Sequence, residues 1–301
     1  MLCPKCRAEV PEGSEECLRC GVIFARMANA GLPAPRFVPQ EIERIADGRI
    51  GGTEVRVLSI GLALALITYA MPWTRFVFSM LVTLFHELGH AIAGWLMGYP
   101  SLPAFDFVYG GGLTHHGAFR LSIAVAIGVG FAWAAWLLRG NRNALVLVFI
   151  VGGLWLLCVT KEWRREIVFA AAGHVGELVL AGIMFYRAVA GVGWRVPLLE
   201  RPAAAFVAFF VLIHSALFAW RLNHDAVFLS WYREGKGGAL MNDLEVVALN
   251  LQIWLGLNPG IEGVARWLLV ATCLPIAAGV VWHFQRVRVH RVLRSLTTVE
   301  S

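Results

Sequence analysis

Phe76-Val-Phe-Ser-Met-Leu-Val-Thr-Leu-Phe-His-Glu-Leu-Gly-His-Ala-Ile-Ala-Gly-Trp-Leu-Met97 is the stretch on which this sequence turns. It is apolar over about the 20 residues that a helix needs to cross a bilayer. Yet it holds His86, Glu87 and His90. Ionisable groups inside a membrane span are costly and usually mark function. On a helix, residues four apart share a face, so His86 and His90 can turn both imidazoles to one metal ion. Glu87 projects beside them, placed to take a proton from a metal-bound water and pass it to a leaving amine. Gly89 between them lets another backbone approach closely.

Other apolar runs surround this one. Val57–Thr74, Leu121–Leu138, Asn143–Thr160 and Pro202–Trp220 carry no charge. Ile167–Tyr186 is interrupted by His174 and Glu177, and Trp267–Gln285 by His283. Leu244–Leu257 is shorter, an eighth span or an interfacial segment. The chain of 301 residues is 58% hydrophobic and only 15% charged, with mean hydropathy +0.66. Soluble domains carry about 25% charged residues, so this composition excludes a water-soluble globule. The expected fold is an all-α polytopic bundle of about 6–8 transmembrane helices, with residues 55–290 as the membrane domain. The opening residues are cysteines and charges, so no cleavable signal peptide is expected. Arginines cluster before the first span and in the basic tail, 291–301. The positive-inside bias then puts both termini in the cytoplasm, in a bacterial-type inner or plasma membrane. A net charge of +6 that flanks hydrophobic spans points to anionic lipid headgroups, with no nucleic-acid partner. The 12 tryptophans read as interface anchors and packing.

Residues 1–26 form a separate unit. Cys3-Pro-Lys-Cys6 and Cys17-Leu-Arg-Cys20 are two knuckles whose thiolates can close a tetrahedral structural zinc site. So short a segment cannot bury a core, and metal binding would supply its folding free energy. A closed site of this kind suits a structural role or docking of a protein partner. Residues 27–54, rich in proline, glycine and charge, read as a linker. Gly98–Gly117 is glycine-rich, and the alternation of Phe105, Phe107 and Tyr109 suggests a strand or hairpin near the membrane surface.

A catalytic zinc takes three protein ligands and keeps one position open. Candidates for the ligand beyond His86 and His90 are Asp243, Asp225, Glu177, His174 and the pair His115-His116. Asp243 precedes an apolar stretch, where it also suits a helix N-cap. Glu177, three residues after His174, shares its helical face. His214 reads as a core histidine, and His224-Asp225 as a helix-end cap.

Phe85-His-Glu-Leu-Gly-His-Ala91 in an early apolar helix, followed by a glycine-rich strand-like segment, resembles the site-2-protease-like intramembrane metalloproteases. Ala172-Gly-His-Val-Gly-Glu-Leu-Val-Leu-Ala181 is similar to that family's Ala-Gly-Pro-x-x-Asn-Leu-x-Leu-Ala helix, with His174 at the proline and Glu177 at the asparagine. Leu240-Met-Asn-Asp-Leu244 stands nearest to its Leu-Asp-Gly motif, without the following glycine and the preceding prolines. The likeness covers roughly residues 77–257. It implies a zinc endopeptidase with Glu87 as general base, His86, His90 and Asp243 as ligands, and His174 and Glu177 orienting substrate. Glu177 and Asp225 stand as alternative third ligands. The implied cofactors are one catalytic and one structural zinc, and the implied partner is a transmembrane protein or peptide. Two other classes compete. One is an inactive membrane scaffold or assembly factor that keeps the fold. The other is a transporter, disfavoured because no repeated half is present.

Overall fold

The computed structural model describes residues 2–3, 8–11, 14–17, 24, 50–106, 111–191, 196–234 and 241–297. It divides into two compact units, Met1–Asp47 and Gly48–Ser301. In the first, Cys3 and Cys17 are buried together with Val10, and Phe24 packs on them. Cys6 and Cys20, the other halves of the expected ribbon, lie outside the described residues, as does most of the expected linker.

The second unit is a helical bundle. Its elements are α1 (Gly52–Ala70), α2 (Pro72–Leu96), β1 (Ser101–Phe105), β2 (Gly112–His116), α3 (Leu121–Leu137), α4 (Arg142–Val159) and α5 (Glu162–Ala190). There follow α6 (Pro197–His224), α7 (Ala226–Glu234), α8 (Asp243–Leu255), α9 (Gly260–Ala271) and α10 (Leu274–Thr297). Among the described residues, six helical stretches are long and apolar enough to cross a membrane: α1, α2, α4, α5, α6 and Gly260–Gln285. The expected span Leu121–Leu138 is the shorter apolar helix α3, of 17 residues. α8 has 13 residues, short of the about 20 needed to cross.

Prolines set two boundaries that apolarity alone does not mark. Pro72 is the first residue of α2, and Met71 before it is extended, at φ −92° and ψ 118°. Proline lacks an N–H and disfavours helix in the residue before it, so α1 ends at Ala70 instead of Thr74. Pro275 likewise interrupts the expected span Trp267–Gln285, which breaks at Thr272–Cys273 between α9 and α10.

The core joins Ala65 of α1, Val82 of α2, Leu180 and Ala181 of α5, and Phe210, Val211 and Leu212 of α6. Small residues let these helices touch. A Cβ at Gly61 would lie 2.3 Å from Ala205 Cβ, and one at Gly89 would lie 2.2 Å from Ala172 O. Such contacts are the means of helix association where lipid removes a hydrophobic drive. By contrast α4 turns Phe149, Ile150 and Leu154 outward, all exposed, as a lipid-facing helix does.

A polar tie closes one end of the bundle. Arg201 donates from Nε to Ala188 O at 2.9 Å, and from Nη2 to Val189 O at 3.2 Å and Glu54 at 3.1 Å. It satisfies carbonyls at the C-terminus of α5 that helix geometry leaves orphaned and anchors α1 to α6. Arg201→Ala is expected to lower stability by about 2–4 kcal/mol, because Glu54 and those carbonyls are left without their cation. Thermal unfolding in detergent reads that loss.

The expected strand segment is an antiparallel hairpin, with Ser101 opposite His116 and Phe105 opposite Gly112. The strands lie on either side of the alternating stretch: Phe105 ends β1, while Phe107 and Tyr109 fall outside the described residues.

Candidate metal centre

Helix α2 presents His86, Glu87 and His90 to a cavity of about 720 Å³ that α5, α6, α7, α8 and the hairpin also line. The chain brings Asp243 there from 157 residues away: its Oδ2 lies 2.9 Å from His86 Nε2 and 3.2 Å from His90 Nε2. The two Nε2 atoms are 3.0 Å apart. These separations approach the about 3.3 Å between donors around a tetrahedral ion with bonds near 2.0–2.1 Å.

The outer partners assign the tautomers. His86 Nδ1 donates to Glu177 Oε1 at 2.6 Å, and His90 Nδ1 donates to the Phe169 carbonyl at 2.8 Å. A carboxylate and a carbonyl only accept, so both Nδ1 atoms carry the proton, and in a neutral ring that leaves Nε2 with its lone pair. Two imidazole Nε2 atoms and a carboxylate oxygen thus converge, an arrangement that a cation or a shared proton between them would hold. Carboxylate or carbonyl contacts at Nδ1 are the usual support of metal-binding histidines. Gly173 keeps the approach open, since a Cβ there would fall 2.4 Å from His86 Nε2 and 2.5 Å from His90 Nε2. The donor set and this glycine cradle fit a metal ion. His86, His174 and Asp243 also form a group that could hold one, with ligating atoms within 4.8 Å of one another.

The other candidates fall into distinct places. Glu177 meets the rings from behind, its Oε2 accepting from Ser215 Oγ at 2.5 Å. It therefore touches His86 on the nitrogen away from Asp243. Asp225 is not brought into the cluster: Oδ1 accepts from Phe228 N at 3.0 Å and Oδ2 pairs with Arg221 at 3.2 Å, capping α7. His224 Nδ1 bonds to Trp220 O within its own helix. His214 lines the cavity near Ser215. His116 pairs through Nδ1 with Ser101 Oγ at 2.7 Å and packs on Phe169. Burial, with His90 and His115 nearby, pushes its pKa down to about 4, so it is neutral at pH 7. The N-cap expected of Asp243 falls instead on Asn242, whose N–H is accepted by Glu245 Oε2 at 2.8 Å. That leaves the Asp243 carboxylate free of capping duty.

Glu87 is buried. The Thr114 hydroxyl lies 2.6 Å from Glu87 Oε2 and 3.0 Å from its backbone oxygen. Gly112 on the same strand lies so close that a Cβ would fall 2.4 Å from Glu87 Cγ. Thr114, Gly112, Gly173, Ser215 and the Phe169 carbonyl are absent from the sequence-based site. Only the glycine-rich turn before Thr114 and the Ala-Gly pair at 172–173 hinted at them. The chain matches no family model, no curated protein and no solved structure.

Proposed function

We infer that this chain is a zinc endopeptidase acting on peptide bonds in or beside the membrane. The observation that carries the reading is the convergence of His86 Nε2, His90 Nε2 and Asp243 Oδ2, with Glu87 one residue along the same helix. A zinc ion held by those three residues would supply Lewis acidity for polarising a carbonyl and for bringing the pKa of a water toward neutrality. Glu87 takes the proton of the attacking water and delivers it to the leaving amine. The Thr114 hydroxyl holds one carboxylate oxygen of Glu87 and steers the other. Glu177 and the Phe169 carbonyl keep the two imidazoles in the tautomer that faces the ion. The substrate proposed is a transmembrane segment unwound near its end, its extended backbone adding to the edge of the hairpin. Cys3, Cys6, Cys17 and Cys20 are proposed to hold a second, structural zinc that docks a partner. Both termini are proposed to face the cytoplasm of a bacterial-type inner or plasma membrane, with anionic lipid against the arginines.

The test is Glu87→Gln in liposomes carrying a fluorogenic transmembrane reporter peptide. Bound zinc should be unchanged while cleavage falls about 10²–10⁴-fold, the usual contribution of a general acid–base. Full activity in that variant overturns the mechanism. Zinc without cleavage in both the wild type and the variant favours the scaffold.

A further inference from the structure

His174 has no role in the chemistry above, yet it stands beside the ring of a proposed metal ligand. It is buried on α5, and its Nδ1 lies 3.2 Å from Glu177 Oε1. The same oxygen lies 2.6 Å from His86 Nδ1. The two rings meet edge-on with centroids 4.7 Å apart. The His174 Nδ1 is buried and makes no hydrogen bond; a buried polar atom left without a partner is costly, and a metal ion would supply one. The ligating atoms of His86, His174 and Asp243 already lie within 4.8 Å of one another. A tetrahedral donor set needs about 3.3 Å, so binding of an ion would draw the His174 ring inward.

We propose that His174 is a fourth protein ligand, which fills the position that water and substrate require and keeps the resting centre closed. This rests on the reading that His86, His90 and Asp243 hold a metal ion. Four protein ligands make the closed arrangement of structural zinc, whereas a catalytic centre leaves one position open. His174 is the ligand suited to leave. Its contact to Glu177 is longer than that of His86, and shorter charge-assisted bonds hold more strongly. Its ring rests on Phe218 at 5.3 Å, an apolar surface over which it can turn. A substrate carbonyl entering the cavity displaces His174, so the centre opens only when occupied.

The experiment uses the full chain in detergent, loaded with Co²⁺, with azide as the probe. Spectra are taken as differences from His86→Ala, so that cobalt in the cysteine ribbon cancels. The wild type should show an intense His86-dependent visible band that azide does not shift. His174→Ala should show a weaker band that azide shifts, with zinc affinity lower by at least about tenfold. An azide shift in the wild type at the same concentration overturns the assignment, whether or not the variant folds. Equal zinc affinity and equal spectra in the two proteins overturn it as well. No His86-dependent band in the wild type overturns the metal reading beneath it, a result distinct from an azide-responsive band.

Discussion

If zinc is held as proposed, replacing Asp243 with Ala is expected to strip the ion at His86 and His90 and leave the one proposed at Cys3, Cys6, Cys17 and Cys20, so that bound zinc falls from about two per chain to about one. Asp243 Oδ2 faces both imidazoles at 2.9 and 3.2 Å, and its loss leaves two neutral nitrogens to hold a dication. The affinity loss should exceed the 10- to 100-fold that removing an outer partner typically costs. Asn242 and Glu245 cap α8 between them, so the helix start should survive the change. Glu177→Ala is the matching comparison. Because Glu177 touches His86 only at Nδ1, its removal should stay within that 10- to 100-fold range. Metal analysis of the two variants checks the order. Zinc that survives Asp243→Ala but disappears in Glu177→Ala would pass the ligand role to Glu177.

Gly173→Ala should empty the same site by another route. Its Cβ would fall 2.4 Å from His86 Nε2 and 2.5 Å from both His86 Cε1 and His90 Nε2. Neither ring can swing aside cheaply, since His86 is tied to Glu177 and His90 to the Phe169 carbonyl. The methyl group therefore stands where the ion would approach. Alanine is the better helix former by about 1 kcal/mol at an interior position, and Gly173 lies well inside α5. Helix propensity thus offsets only part of the steric cost. The expected result is loss of zinc and of cleavage together with a lower thermal stability in detergent, since overpacking of this kind typically costs about 1–3 kcal/mol, more than the helix propensity returns. Retained zinc in a folded Gly173→Ala protein would place the ion elsewhere in the cavity.

The local part of this molecule was legible before any coordinates. Apolar runs mark most of the long helices because a span must be apolar over its own length, a property of consecutive residues. The four-residue spacing of His86 and His90 fixes their common face for the same reason. Helix ends are less legible: the expected end at Thr74 yields to Pro72, where a missing N–H overrides hydropathy, while the span ending at Gln285 begins at Gly260, ahead of the expected Trp267.

The choice between Asp243, Glu177 and Asp225 was beyond the sequence, because each is an acid near an apolar helix. What separates them is packing. The contact of α2 with α5 across Gly89 and Ala172 turns Glu177 to the backs of the rings. The start of α8 carries Asp243 to their fronts, while Asp225 is spent on the start of α7. Thr114 and the Phe169 carbonyl entered the site in the same way, through a hairpin and a neighbouring helix that no spacing rule connects to residue 86 or 90. By itself the sequence determined most of the long apolar helices and which of them bears the His-Glu-x-x-His motif, since both follow from neighbours in the chain. Only the tertiary structure decided which carboxylate faces the motif and which stands behind it, because that depends on how close two helices far apart in sequence can come.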